Sequence, residues 1–200
     1  YLILTDGSKG TSDKSVSPSE LIKQRQAEQS AAGKRLGVSE TFFLNYEDGA
    51  LEVNQELKRD IVRFIRKLKP DVVITMDPSM LYHVETGFIN HPDHRAAGQA
   101  TLDAVYPLAR DYLSFADLLD KENLQPHKVK TVLLNNFDKQ NYYVDITGTI
   151  DKKMSALATH VSQMSDLAAT QKRMRQLAAA AGNHVGSKYA EGFLRLDIAS

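Results

Sequence analysis

The segment His91-Pro92-Asp93-His94 contains the residue types in this chain that are best suited to chemistry. Pro92 favours a helix that begins at this point, which would place His91 and His94 about one turn apart, facing one cavity. The helix N-terminus disfavours a charged imidazole, and the neutral ring is the form that binds metal. Asp93 opposes this effect because a neighbouring carboxylate favours the imidazolium. We therefore expect one histidine to be a metal ligand and the other to form a proton-transfer pair with Asp93.

The spacing of the two histidines does not by itself establish such a site. H-x-x-H is a weak motif, and the alternative is a helix-start Asp93 flanked by solvated histidines. The other histidines (His83, His127, His160 and His184) are scattered, and each alone is interpreted as structural or surface-exposed. His160 is the hardest of these to dismiss, because Ser162 and Gln163 make its neighbourhood polar within an otherwise apolar helical region.

Alternating strand and helix patterns surround this segment. Apolar runs that stop at turn residues predict strands, and capped amphipathic runs predict helices, at residues 1–5, 18–36, 41–44, 54–69 and 71–76 in that order. This alternation predicts an α/β fold with a mostly parallel sheet covered by helices. In such folds ligands bind outside the carboxyl ends of the strands, which is where the His91 segment is expected.

The second half of the chain gives weaker signals. Residues 80–90 are predicted as a loop, and the third helix opens at Pro92. We predict a short helix at 111–120, strands at 129–134 and 142–146, a long helical region of one or two helices at 151–181, and a weak strand or tail at 193–196.

Composition restricts the kind of partner and metal site. The 25 basic residues balance the 25 acidic residues of this 200-residue chain, so charge gives no reason to expect nucleic acid or a membrane surface. No apolar run approaches the roughly 20 residues that cross a bilayer. The absence of cysteine excludes disulfides, thiolate zinc sites and a cysteine nucleophile, and it fits a cytoplasmic protein. Any metal must be held by histidine and carboxylates.

Three further segments have more than one interpretation. The glycine-containing loop at residues 5–12 has neither phosphate-binding glycine spacing, so a loop at a strand end is favoured over a nucleotide site. Arg25 and Glu28 are interpreted as a solvated ion pair on one helix face. Asp48 with Gly49 is interpreted first as a turn and second as a substrate contact.

Together these segments resemble the PIG-L/LmbE-like family of N-acetylglucosaminyl deacetylases. The resemblance depends on the order and spacing of motifs along nearly the whole chain. These motifs are Leu4-Thr5-x-Gly7-x-x-Gly10, Arg25-x-x-Glu28, Leu36-Gly37-Val38, Asp48-Gly49-x-Leu51, Lys69-Pro70-Asp71-Val72-Val73-Ile74-Thr75, His91-Pro92-Asp93-His94, Asp145-Ile146-Thr147, Lys153-x-x-Ala156-Leu157-x-x-His160-x-Ser162-Gln163 and Tyr189-Ala190-Glu191-Gly192-Phe193.

The resemblance implies a Rossmann-like α/β fold with helices on both faces of the sheet, and a mononuclear site for Zn²⁺ or another divalent metal. His94 matches the family's metal ligand. His91 matches the general acid that also stabilises the oxyanion, and Asp93 matches the carboxylate that tunes it. Arg25 and Asp48 match positions near the sugar. The implied reaction hydrolyses the N-acetyl group of a small-molecule amino sugar of the N-acetylglucosamine type, or of its conjugate, and releases acetate.

Two departures from the family pattern qualify this expectation. The family's His-Pro-Asp-Asp-Glu signature, which supplies further metal ligands and the general base, is not in this sequence. We therefore expect residues 1–200 to form a single deacetylase-like domain that lacks its first β-α unit and is inactive by itself. Ile89 stands where some members carry a catalytic tyrosine, and Tyr82 lies nearby. A sugar-binding relative without a working metal site and a nucleotide-binding domain stay open as alternatives, as does a homo-oligomer.

Overall fold

The computed structural model describes residues 1–84 and 87–199, and these form two compact units. The first unit contains Tyr1–Ala50 and Tyr143–Gly192. The second contains Leu51–Tyr142 and the chain from Phe193 onward. Within the described residues, no helix is both long enough and apolar enough to cross a membrane.

The first unit opens with two parallel strands joined by a helix, as predicted. β1 (Leu2–Thr5) pairs with β2 (Phe42–Tyr46), and α1 (Pro18–Leu36) connects them. Ser17 caps α1 through a capping box, because its hydroxyl accepts from the Glu20 N–H while the Glu20 carboxylate accepts from the Ser17 N–H at 2.9 Å. Gly37 ends the helix in the left-handed conformation that favours glycine.

The long helical region predicted at 151–181 is divided into two helices. These are α5 (Ile150–Leu157) and α6 (Leu167–Gly182), and a 3₁₀ turn at Val161–Gln163 separates them. Asp166 starts α6, because its side chain accepts from the Ala169 N–H at 2.9 Å. The apolar core of this unit is formed by Ile146, Ile150, Met154 and Ala178, with Met174 and Tyr189 packed against it.

The second unit contains a sheet of mixed direction. After α2 (Gln55–Leu68), strand β3 (Val72–Met76) pairs in parallel with β6 (Thr131–Asn135), and β6 pairs antiparallel with β8 (Ala190–Asp197). β7 (Tyr142–Asp145) follows β6 in the chain and lies in the first unit from Tyr143 onward. Just before β7, within the second unit, the Asn141 N–H donates to the Phe193 carbonyl of β8 at 3.0 Å. The predicted weak strand at 193–196 is therefore an eight-residue sheet strand.

The α/β fold class is confirmed, but two details of the second unit differ from prediction. β3 was predicted as a buried strand, yet Val72 and Ile74 are 48% and 62% exposed. Among the described residues β3 is the edge strand of its sheet, with β6 as its one paired neighbour. The predicted loop at 80–90 contains a small antiparallel pair, β4 (Tyr82–His83) with β5 (Phe88–Ile89). Glu85 and Thr86, which belong to that predicted loop, lie outside the described residues.

The helix predicted at 111–120 begins later than expected. α3 (Pro92–Asp103) runs into a π-helical turn at Ala104–Leu108, which contains a cis peptide bond before Pro107. The next helix, α4, spans Ala116–Glu122. Asp111 explains the delay, because its carboxylate accepts from the Ser114 N–H at 2.9 Å and so forms a turn before the helix starts.

Arg66 on α2 organises the segment between α3 and α4. It is only 1% exposed, and its guanidinium donates to backbone carbonyls at Leu108 (3.0 Å), Asp111 (2.8 Å) and Ser114 (2.7 Å). Burying a charge is costly unless it is hydrogen-bonded. Here the Arg66 guanidinium and the backbone carbonyls are hydrogen-bonded to one another. The path of the chain from Leu108 to Ser114 therefore depends on the Arg66 side chain.

We predict that Arg66→Met lowers the free energy of unfolding by about 3 kcal/mol or more, because buried carbonyls lose their donors. Thermal and urea unfolding of the variant would measure this loss. Arg173→Ala on the exposed surface of α6 is the matched control, and it should change stability by less than about 0.5 kcal/mol. Equal stability of the two variants would contradict the organising role of Arg66.

Candidate active site

The start of α3 brings His91 and His94 together. His91 is the N-cap residue, Pro92 occupies the first turn, and the Nδ1 atom of His91 accepts from the Asp93 N–H at 3.2 Å. The centroids of the two imidazole rings lie 5.5 Å apart. The predicted helix start and the predicted proximity of the two histidines are therefore both present in the structure.

Asp93 lies beneath these rings and is 6% exposed. Its Oδ1 accepts from the Leu51 N–H at 3.2 Å, whereas its Oδ2 lies 3.9 Å from His91 Nδ1, which is too long for a hydrogen bond. His91 Nδ1 is already used as an acceptor, so the proton of a neutral ring lies on Nε2. In that tautomer Nε2 carries the ring proton and can donate a hydrogen bond.

His94 has the properties of a metal ligand. Burial of part of its ring lowers the pKa of His94 below its ordinary value, the nearby His91 lowers it further, and Asp93 opposes both effects. The neutral imidazole, which is the form that coordinates metal, is therefore favoured. The role of His94 as a metal ligand stays a prediction.

Buried contacts fix the backbone just before His91. The side-chain amide of Asn90 donates to the Met80 carbonyl at 2.8 Å, and its N–H donates to the Leu81 carbonyl at 2.9 Å. The Arg95 guanidinium donates to the Asn90 carbonyl. These bonds connect the short hairpin to the first turn of α3, so the position of His91 follows from the fold.

Gly98 lets α3 pack directly against the end of β3. A Cβ atom at this position would lie 2.2 Å from the Met76 carbonyl oxygen, which is far inside van der Waals contact. No other residue fits without moving the helix or the strand. The helix that carries both histidines is therefore seated on β3 by backbone contact.

We predict that Gly98→Ala destabilises the protein by about 1–3 kcal/mol, the usual cost of overpacking. Because α3 must move, metal affinity should also fall although every predicted ligand is retained. Thermal unfolding and a zinc titration of the full-length protein would measure the two effects. Ala97→Gly, one position earlier on α3, is the control: it should cost about 1 kcal/mol through helix propensity and leave zinc affinity unchanged. Unchanged stability and affinity in Gly98→Ala would contradict this close packing.

The predicted sugar-binding residues Arg25 and Asp48 lie together in the first unit. The loops after the parallel strands β1 and β2 meet, because the Asp6 N–H donates to the Tyr46 carbonyl at 2.8 Å. The Asp6 carboxylate accepts from the N–H groups of Ser8 (2.9 Å) and Asp48 (3.1 Å). Asp6, which the sequence did not single out, therefore holds Asp48 in place.

Arg25 extends from α1 into the loop after β1. Its Nη1 donates to the carbonyls of Gly7 (2.8 Å) and Lys9 (2.6 Å), and it lies 3.6 Å from the Asp48 carboxylate. Gly7 has a φ of 69°, and a Cβ there would lie 2.9 Å from Arg25 Cδ, so the close approach requires glycine. The interpretation of Arg25 and Glu28 as a solvated ion pair is wrong for Arg25.

The interpretation as a solvated ion pair is also wrong for Glu28, which is only 9% exposed. The Glu28 carboxylate accepts from the N–H (2.9 Å) and the hydroxyl (2.7 Å) of Ser162, and from the Gln24 amide at 3.1 Å. Arg25 and Glu28, three residues apart on α1, thus each have hydrogen-bond partners far along the chain. The only signal in the sequence was the presence of both segments among the family-like motifs.

These contacts surround a cavity of about 210 Å³ in the first unit. Its polar lining residues are Thr5, Asp6, Arg25, Gln26, Gln29, Asp48, His160 and Gln163. The other three scattered histidines have structural partners: His83 contacts Asp138 at 2.8 Å, His127 contacts the Pro70 carbonyl at 2.8 Å, and His184 stacks on Tyr143. His160 is thus the histidine among these four that lines the cavity.

The loop at residues 5–12 does not have the geometry of a phosphate site. Its carbonyls at Gly7 and Lys9 point to Arg25, while the N–H groups of Ser8 and Lys9 donate to the carboxylates of Asp6 and Asp48. A phosphate cradle needs free N–H groups. This arrangement argues against the nucleotide-binding alternative.

Comparisons with known proteins agree with the fold and the motifs. The chain is 35% identical to diacetylchitobiose deacetylase of Thermococcus kodakarensis over 194 residues, which is 96% of this chain and 70% of that protein. It is 26% identical to a probable N-acetyl-alpha-D-glucosaminyl L-malate deacetylase of Bacillus anthracis, over 70% of this chain and 56% of that one. The crystal structure of N,N'-diacetylchitobiose deacetylase from Pyrococcus horikoshii superposes with a TM-score of 0.88 at 32% identity, over 98% of this chain and 72% of that one.

These similarities define the class of protein as an N-deacetylase with an α/β fold. The family model described as GlcNAc-PI de-N-acetylase matches residues 1–105. The chain belongs to this PIG-L family. The family and the deacetylase class predicted from the sequence are confirmed.

Proposed function

We propose that the protein hydrolyses the N-acetyl group of an N-acetylglucosamine-type sugar or its conjugate and releases acetate. The observation that carries this proposal is the pair of imidazoles at the start of α3, 5.5 Å apart, in a chain of this family. The names of the relatives support an acetylated amino sugar as the small-molecule substrate.

We further propose a divalent metal, zinc in the first instance, with His94 as one ligand. A metal bound there would polarise the acetamide carbonyl and activate water. The neutral ring of His94 suits this role, since burial lowers its pKa. Further ligands and the general base belong to the family signature that this sequence does not contain.

His91 is proposed as the general acid. Its Nδ1 is occupied by the Asp93 N–H, so Nε2 is the atom that can donate, first as a hydrogen bond to the developing oxyanion and then as a proton to the leaving amine. Giving up a proton from Nε2 requires the imidazolium, in which Nδ1 also carries a proton. That Nδ1 proton would replace the contact with the Asp93 N–H and face the Asp93 carboxylate, whose Oδ2 lies 3.9 Å from Nδ1 and whose Oδ1 accepts from the Leu51 N–H.

Arg25 and Asp48 are proposed to bind sugar hydroxyls. Asp48 can accept from a hydroxyl, and the Arg25 guanidinium can donate to one. The cavity contains two carboxylates, Asp6 and Asp48, against one guanidinium, so its charge favours a neutral sugar over a phosphate. Acetate release distinguishes this proposal from the alternative of a sugar-binding relative without catalysis.

We propose that residues 1–200 belong to one deacetylase domain. A cytoplasmic location and a homo-oligomer stay predictions from the sequence.

We predict that His94→Ala in the full-length protein abolishes zinc binding, because the neutral imidazole ligand is lost. Zinc stoichiometry measured by mass spectrometry of the metal tests this. His184→Ala, which removes an imidazole that stacks on Tyr143, should keep the wild-type stoichiometry. Unchanged zinc content in His94→Ala would exclude the ligand assignment.

We also predict that His91→Gln lowers kcat for deacetylation by roughly 10²–10⁴-fold, the usual contribution of a positioned general acid. Its zinc content should stay at the wild-type level. Acetate release from N,N'-diacetylchitobiose by the full-length protein would be measured. A wild-type protein that binds zinc and sugar but releases no acetate would favour the non-catalytic alternative.

A further inference from the structure

The segment from His160 to Gln163 forms one wall of the first-unit cavity. It contains the 3₁₀ turn Val161–Gln163 and the residue before it. The side chains of His160 and Gln163 line the cavity beside Arg25 and Asp48. Within the described part of the chain, neither side chain has a hydrogen-bond partner. Among the described residues, the donors and acceptors of these two side chains are therefore unused.

A buried carboxylate holds this wall against α1. Glu28 accepts from both the N–H and the hydroxyl of Ser162, and the Thr159 hydroxyl lies 3.2 Å from the Glu28 carbonyl as a second contact. Arg25 lies one helical turn before Glu28 on α1. Helix α1 thus positions both the Arg25 guanidinium and the turn at Val161–Gln163. It therefore fixes the distance between these two walls of the cavity.

The lining chemistry identifies the kind of ligand. The amide of Gln163 and the ring of His160 add neutral donors and acceptors to the charged pair of Arg25 and Asp48. A volume of about 210 Å³ is smaller than the roughly 300–1,000 Å³ of pockets for drug-sized ligands. Mixed donors and acceptors in a small cavity suit a single neutral, polyhydroxylated ring.

We propose that His160 and Gln163 contact the sugar ring of the substrate, and that Glu28 is a positioning residue that holds them through Ser162. This inference rests on the proposed amino-sugar deacetylation. It adds a second wall to the sugar site, formed by a chain segment more than 100 residues after Arg25 and Asp48.

Sugar binding tests the contact residues. In the full-length protein, His160→Ala and Gln163→Ala should each weaken binding of N-acetylglucosamine about ten-fold, the loss expected for one hydrogen bond to a ligand. Isothermal titration calorimetry would measure Kd. The matched controls His184→Ala and Gln176→Ala change the same residue types in the same unit at positions that do not line this cavity, and they should keep the wild-type Kd.

A conservative pair of variants tests the positioning role. Glu28→Ala removes both bonds to Ser162, so KM for N,N'-diacetylchitobiose should rise about ten-fold while kcat changes by less than about three-fold. Glu28→Gln can still accept from the Ser162 N–H and donate to its hydroxyl, so it should restore a KM near the wild-type value. If Glu28 had a purely structural role, Glu28→Ala would lower stability without raising KM selectively over kcat.

The outcomes separate this inference from the proposed function. Wild-type Kd and KM in His160→Ala and Gln163→Ala, in a protein that releases acetate, would overturn the inference and leave the deacetylase proposal standing. A wild-type protein that binds no sugar would overturn the inference as well. Sugar binding that is lost in both variants, in a protein without acetate release, would support the sugar site and contradict the deacetylase proposal.

Discussion

The guanidinium of Arg25 is the interaction on which the predicted sugar site depends. It donates to the Gly7 and Lys9 carbonyls and faces the Asp48 carboxylate, so one side chain connects α1 to the loops after β1 and β2. Only a planar group with several donors can satisfy partners in these directions at once, which lysine cannot reproduce. Because the loop carbonyls are directed at Arg25, the loop N–H groups are left to the carboxylates, and the cavity acquires its mixed polar character.

The same principle recurs in both units: a buried charge is satisfied by the backbone of a segment distant in sequence. Glu28 holds the turn at Ser162, and Arg66 holds the segment from Leu108 to Ser114. Each is expensive to bury alone and each becomes stable through backbone hydrogen bonds. Both segments lie at or between helix ends, where backbone groups lack the regular partners of a helix interior.

Features that depend on local sequence were predictable, and those that depend on distant partners were not. The Ser17 cap, the Gly37 stop and the start of α3 at Pro92 follow from a few adjacent residues, and the structure has all three. The buried roles of Glu28 and Arg66 depend on segments dozens of residues away, so helix periodicity alone does not indicate them. The β8 strand was underestimated because its pairing with β6 is decided across more than 50 residues. His91 and His94 were found because their proximity is local.

The contact between Gly98 and the Met76 carbonyl has a consequence for how this protein can vary. Helix α3 rests on the main chain of β3, and main-chain atoms have no alternative rotamers with which to absorb a change. The height and tilt of the helix are therefore set by the peptide backbone and not by side-chain packing. Substitutions in the surrounding core can alter stability and still leave the two imidazoles where they are. The hairpin side, by way of Asn90 and Arg95, offers a route by which their placement can change.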